Sequence, residues 1–381
     1  MLSNGLCAVA MRILYLFRSL AVWGGIERIL TEKMNWLADV AGNEVFMLTY
    51  DQGTHPVPYE LSSRVVLEDL DIRFHQQYRY SGLHRLWDGW QRMRLFSRRL
   101  TEKVQKIRPD VIVCTTADPV GVIARVKGSV PLVVESHSIC LYTFPRQDFR
   151  QRRKSALLER GLRRAACIVA LTDDDAHQWQ RLFHNVRAIP NMVHLNDGAV
   201  ADLTCRRVIF VGRFDYQKRP LDIISIWQRV YPRFPDWHLD IYGEGEQQRL
   251  VDDEARRLGM NIHVHRPTAD IFGCYRKSGL LVSTSLFEPF GLVIPEAMSC
   301  GLPFVAYDCP YGPRVFAAGG NCGSLVAMDD AEGFADSMCR LMGDEALRRQ
   351  MGERALRLSR SYTAERVMPQ WQELFRSLSS K

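Results

Sequence analysis

Leu280-Leu281-Val282-Ser283-Thr284-Ser285-Leu286-Phe287-Glu288-Pro289-Phe290-Gly291-Leu292-Val293-Ile294-Pro295-Glu296-Ala297-Met298-Ser299-Cys300 compresses a whole structural unit into one line. Leu280 to Ser283 is a short apolar run, apolar on both faces, which predicts a strand buried from both sides. A glycine-containing loop follows, and Glu296 to Cys300 predicts a helix. Two carboxylates, Glu288 and Glu296, flank the loop. Backbone N–H groups at such a turn can face a pyrophosphate, whose charge a helix dipole favours. A carboxylate there can accept hydrogen bonds from ribose or sugar hydroxyls. Each glutamate taken singly is better explained as an ordinary helix-start residue, where Glu is common for dipole reasons alone.

The same strand–turn–helix unit recurs on either side. Ile13 to Phe17 is followed by Gly24-Gly25 and then by Ile26, Ile29, Leu30, Met34, Leu37 and Val40 at helical spacing. Val45 to Tyr50, Val111 to Thr115, Leu132 to Glu135 and Ile168 to Leu171 complete a first set of strands. A second set begins at Val208 to Val211 and continues with Leu239 to Tyr242, Ile262 to Val264, Leu280 to Ser283 and Phe304 to Ala306. Apolar runs alternating with helices predict parallel sheets covered on both faces, an α/β fold. Turn residues around Pro190, Asn191, Asn196, Asp197 and Gly198 break the pattern, which places the connection between two domains near 193 to 205. The domains expected are 1–194 and 195–362; a last helix, 363–381, resembles one that crosses back to join the first. Two such sheets in sequence lead us to expect ligands in a cleft at their strand carboxyl ends.

Further charged and glycine residues fall at the predicted strand ends. Gly212, Arg213 and Lys218 follow the first strand of the second domain. Cations fixed in a cleft can neutralise a departing nucleotide diphosphate without reorganisation; a solvated turn is the plainer account of the same charges. Gly24 and Gly25 allow close backbone approach of a ligand, but the full dinucleotide fingerprint is missing, so no nicotinamide cofactor is expected. His137 lies just past a strand end, where it can hydrogen-bond a sugar or sit as a loop histidine. Asp173-Asp174-Asp175 after Thr172 reads as a helix cap and not a metal site. His263 and His265 read as one exposed strand face, and no metal is assigned.

Composition narrows the setting. The 10 cysteines include no Cys-x2-Cys pair, so reduced thiols in a cytoplasmic protein are expected. No apolar run approaches the roughly 20 residues needed to span a bilayer. Met1 to Ala10 is expected to be an extension without structural duty. The net charge of +7 is uneven: ten Lys or Arg lie between Arg73 and Arg108 against two acids, Asp88 and Glu102. Tyr78, Tyr80, Trp87, Trp90, Met93, Leu95 and Phe96 are interleaved with them. This pattern suits a peripheral helix on the anionic inner leaflet of the cytoplasmic membrane, or a helix whose apolar side packs on its domain. A second basic run spans Arg146 to Arg164. Nucleic acid is not an expected partner, because no recognised motif accompanies the charge.

Taken together, these residues resemble the retaining glycosyltransferases of family four, with the GT-B fold, which include many capsule, exopolysaccharide and lipopolysaccharide enzymes. The resemblance covers nearly all of residues 11 to 381 and is most specific from Ser283 to Pro313, where Glu288 and Glu296 form the family's Glu-x7-Glu signature. It implies two Rossmann-like domains facing a central cleft. It implies that Glu296 holds the ribose hydroxyls and that Glu288 lies by the donor sugar, with the amides of Phe290, Gly291 and Leu292 near sugar and phosphate. Gly24 and Gly25 match the N-terminal glycine loop, and His137 matches a histidine at the acceptor side of the donor sugar. Gly212, Arg213 and Lys218 match the diphosphate-binding group used in place of a metal, and Gly243 matches a second glycine turn. Pro289 departs from the family's frequent glycine and removes one N–H.

The expected activity is therefore transfer of a hexose or N-acetylhexosamine, with retention, from a nucleotide-diphosphate sugar. A UDP-sugar is favoured and GDP-mannose comes next; the acceptor would be lipid-linked or a polysaccharide. No cofactor is implied. The alternatives are a non-catalytic nucleotide-sugar binder and an epimerase or phosphorylase of the same architecture.

Overall fold

The structure, a computed structural model, describes residues 10–144, 149–196 and 198–379. Contacts divide the chain into two compact units. Unit 1 holds residues up to Ile189 together with Met368–Lys381, and unit 2 runs from Pro190 to Val367.

Unit 1 is built on a seven-stranded sheet: β1 (Arg12–Phe17), β2 (Glu44–Thr49), β3 (Val65–Asp69), β4 (Val111–Thr115), β5 (Leu132–Glu135), β6 (Cys167–Ala170) and β7 (Val186–Ala188). The spatial order is β3-β2-β1-β4-β5-β6-β7. All pairings are parallel. Unit 2 carries β8 (Arg207–Val211), β9 (His238–Tyr242), β10 (Ile262–His265), β11 (Leu280–Ser283), β12 (Phe304–Tyr307) and β13 (Gly323–Val326) in the order β10-β9-β8-β11-β12-β13. These are also all parallel. Each is the doubly wound order, with its switch point beside the first strand: β1/β4 in one unit and β8/β11 in the other. Ligands in such sheets bind outside the strand carboxyl ends at that point.

Central strands are buried on both faces, and the side chains of β4, β5, β6 and β12 are buried throughout. The three strands not expected from sequence are β3, β7 and β13, all at sheet edges or next to exposed chain. β3 and β7 keep only partial burial, and β13 begins with a glycine, so none shows a continuous apolar run. The first helix, Gly25–Asp39, buries Ile29, Leu30, Met34 and Leu37 as expected. Val40 does not belong to that face: it is the C-cap residue and is 67% exposed. Thr172 caps the helix Asp173–Gln180 by accepting from the Asp175 N–H. The last helix, Ala364–Ser379, buries Val367, Trp371, Leu374 and Phe375.

The basic helix is Gly82–Ile107. Its second half buries Phe96, Leu100, Val104 and Ile107, while its first half leaves Leu83, Leu86, Trp87 and Trp90 exposed. In the second basic run, Arg146 and the side chains at 150–154 lie outside the described residues. Cys7 does too; the nine cysteines that are described are free thiols. Among the described residues no helix is long and apolar enough to cross a membrane.

Candidate functional site

In unit 2 the predicted residues gather past the carboxyl ends of β8 and β11. The loop after β8 is pinned to the loop after β11 by backbone and side chain: the Leu286 N–H donates to the Gln217 carbonyl (2.8 Å), and Gln217 Nε2 donates to the Phe287 carbonyl (3.0 Å). Thr284 Oγ1 donates to the carbonyl of Arg219 (2.9 Å). These bonds carry Lys218 to Glu288, and the two form a direct ion pair. Ser285 Oγ donates to the same carboxylate oxygen at 2.7 Å. Glu288 is itself held by its backbone: its N–H donates to Pro310, and its carbonyl accepts from Tyr311 and Gly312.

Gly291 has φ +80°, a left-handed conformation that glycine adopts without steric cost. The Phe290 side chain is buried and packs edge-on against Phe316 and Tyr362, so only its backbone faces the loop. The N–H groups of Phe290, Gly291 and Leu292 donate to no acceptor among the described residues. The helix that follows is Val293–Ser299, starting three residues earlier than expected. Glu296 therefore lies at the end of its first turn, buried to 4% exposure, and Pro295 fits that turn because its missing N–H would be unpaired there anyway.

Arg213 projects into solvent, 71% exposed, near Asp215 (3.1 Å) and Gln217 (3.3 Å). Gly212 and Gly243 end neighbouring strands. A Cβ on Gly243 would collide with the Gly212 carbonyl, so the visible reason for that glycine is the close approach of two turns. Arrangements of this kind can bind an anion between loop amides and two cations, with Glu288 serving as the resting counter-ion of Lys218.

Unit 1 contributes a second group past β1 and β5. Gly24 is the N-cap of Gly25–Asp39, and its carbonyl accepts from the Tyr59 hydroxyl at 3.1 Å. His137 follows Glu135, the last residue of β5, and its Nε2 lies 3.1 Å from Glu135 Oε2. Lys33 Nζ donates to the same oxygen at 2.6 Å. Sequence reading missed this pair. Lys33 falls between Leu30 and Met34 on the apolar face of its helix, and a lysine there was the available signal. Burial would raise the Glu135 carboxyl, but Lys33 and His137 bring it down to about 2. Burial lowers the Lys33 ammonium, and Glu135 opposes that.

The predicted triple-aspartate cap and the His263/His265 pair take no part in either group. His265 instead bonds Asp240 at 2.8 Å. Among the described residues no three His, Cys, Asp or Glu side chains gather closely enough to hold a metal ion.

Two doubly wound units and a Glu-x7-Glu loop at a switch point define a GT-B-type protein. Comparison with known proteins agrees. The model of glycosyltransferase family 4 matches residues 23–197, and that of glycosyl transferases group 1 matches residues 200–357. The chain belongs to this glycosyltransferase family.

An exopolysaccharide phosphotransferase of Streptomyces coelicolor is 32% identical over 51% of the chain and 21% of its own length. An undecaprenol-linked alpha-1,4-N-acetyl-D-galactosaminyltransferase of Campylobacter jejuni is 20% identical over 92% of the chain and 94% of its own length. Among solved structures, Staphylococcus aureus TarM in complex with UDP superposes with a TM-score of 0.76 at 15% identity, covering 96% of this chain and 99% of that one. The first curated relatives are matched over 21%, 59% and 47% of their lengths.

Proposed function

We propose that the chain transfers a hexose or N-acetylhexosamine from a nucleotide-diphosphate sugar to a lipid-linked or polysaccharide acceptor in cell-surface glycan synthesis. The observation that carries this reading is the Lys218–Glu288–Ser285 cluster beside three loop amides free to donate. Bound between them, a diphosphate would draw Lys218 from Glu288 and leave the carboxylate facing the sugar. Arg213, largely exposed beside Asp215 and Gln217, adds a second cation. Glu296, one helical turn on, is the acceptor group for ribose hydroxyls. Lys218, Arg213 and the amides together supply the charge that a metal ion supplies elsewhere, so the reaction proceeds without one. Family membership supports transfer with retention, and a product of inverted anomeric configuration by NMR would contradict it. The relatives named for exopolysaccharide and undecaprenol-linked substrates support the acceptor class.

A thermal-shift screen against UDP, GDP, ADP and CMP, with and without EDTA, tests the core of the reading. A ligand specific for the folded state adds about 2.7 kcal/mol at 100 times its dissociation constant. One nucleoside diphosphate, with UDP favoured, is expected to raise the melting temperature regardless of EDTA, and Glu296→Ala is expected to abolish the rise. Silence from all four nucleotides would sink the proposal, and a shift that EDTA removes would sink its metal-independent part.

A further inference from the structure

The ion pair under His137 is more than a packing feature. Glu135 is fully buried. Its Oε2 takes both hydrogen bonds, from Lys33 (2.6 Å) and from His137 Nε2 (3.1 Å), while its Oε1 has no hydrogen-bond partner among the described residues. A buried ion pair kept only for stability satisfies both oxygens; this one concentrates its bonding on the oxygen that faces His137. Lys33 is held in turn from the last helix, where the Trp371 ring lies 3.7 Å from its ammonium. Tyr15 and Cys114 lie near enough to feel the Glu135 charge, and Asp118 near enough to feel His137.

An ionised carboxylate only accepts hydrogen bonds. The ring nitrogen facing Glu135 must therefore carry the proton, and a neutral imidazole then has its lone pair on Nδ1. Among the described residues Nδ1 makes no hydrogen bond. We infer that Glu135, anchored by Lys33 and Trp371, is a positioning residue that fixes His137 as the Nε2–H tautomer, so that Nδ1 is offered as the acceptor for a sugar hydroxyl. The inference rests on the reading of His137 as a sugar-facing residue of a glycosyltransferase. It adds the part that sets which hydrogen-bonding face the ring presents, as outer partners do for ligating histidines elsewhere.

The tautomer is directly readable. Full-length protein labelled with 15N-histidine is examined by two-bond proton–nitrogen correlation near pH 8, with the His137 signals assigned by their loss in His137→Gln. The wild type is expected to show a protonated Nε2 and a bare Nδ1. The variant Lys33→Met/Glu135→Ala removes both charges together, and its His137 resonances are expected to collapse to values averaged over the two tautomers. Glu135→Gln, nearly isosteric, serves if the double variant does not fold, and is expected to shift the same resonances part of the way. A proton on Nδ1 in the wild type, a ring doubly protonated at that pH, or a tautomer unchanged by the variants would each overturn the inference. Nucleotide-induced thermal shift, recorded on the same samples, separates the two ideas: no shift with the Nε2–H tautomer intact would sink the transferase reading, and with it the sugar contact, while the positioning of the His137 ring by Glu135 would stand.

Discussion

Asp118 illustrates how single residues tune this fold. It sits in the turn after β4, buried, and accepts from the Thr115 N–H (2.6 Å), Thr115 Oγ1 (2.8 Å) and the Tyr50 hydroxyl (2.7 Å). Burial outweighs these bonds and pushes its carboxyl up to about 6. The unfolded chain releases that proton near pH 3.9. Between about pH 4 and pH 6 the folded state thus binds a proton that the unfolded state lacks. Stability is lost as pH rises through this window, by at most about 3 kcal/mol. Asp118→Asn is expected to flatten the melting temperature between pH 4.5 and pH 7 relative to wild type; an identical pH profile in the variant would show that Asp118 is ionised throughout. At this scale the motif residues were legible in the sequence, because Glu288, Glu296, Gly212 and Lys218 stand at fixed offsets from strand ends. The Lys33–Glu135 pair was not legible as a pair, since its partners lie 102 positions apart and only folding brings them together.

At the scale of elements, the helix Gly82–Ile107 divides its labour. Arg92 donates to the Ile72 carbonyl and Arg99 to that of Asp71, so these two cations hold the chain after β3 and are not free for a surface. Arg79, Arg85, Arg94 and Arg98 are exposed, and they accompany the exposed Leu83, Leu86, Trp87 and Trp90. Aromatic side chains flanked by arginine suit a lipid headgroup boundary. Charge reversal at Arg79, Arg85, Arg94 and Arg98 is expected to abolish binding to anionic vesicles, since each basic residue near such a surface contributes about 1 kcal/mol. Vesicle binding that survives the four changes would remove the electrostatic membrane role. The same division explains what sequence could tell about elements. Interior strands announce themselves by unbroken apolar runs, whereas β3, β7 and β13 carry less of that signal, and edge strands are often interrupted by charge or glycine.

For the molecule as a whole, the two units have separate cores, one clustered around β1, β4 and β5 and the other around β8, β9 and β11. From Met368 on, the last helix belongs with the first unit by contact, and Phe375 within it is fully buried. Phe375→Ala should cost about 3–5 kcal/mol. The loss should fall on unit 1 and leave the nucleotide affinity of unit 2 unchanged; a weaker nucleotide affinity in isothermal titration would refute that separation. The alternation of strands and helices made the two-unit plan legible from sequence, and the amphipathic tail made its last helix legible. That this helix joins the first domain is an expectation carried by the family resemblance and not by the periodicity of the tail itself.

That closing segment has a consequence for biosynthesis. Domains generally fold in order as they leave the ribosome, N-terminal first. Here the first unit waits for residues made after the whole of the second. Until Trp371, Leu374 and Phe375 arrive, Lys33 lacks the ring that lies over it. The half of the protein begun earliest is thus finished last, and a chaperone would be expected to hold the emerging chain until that helix docks.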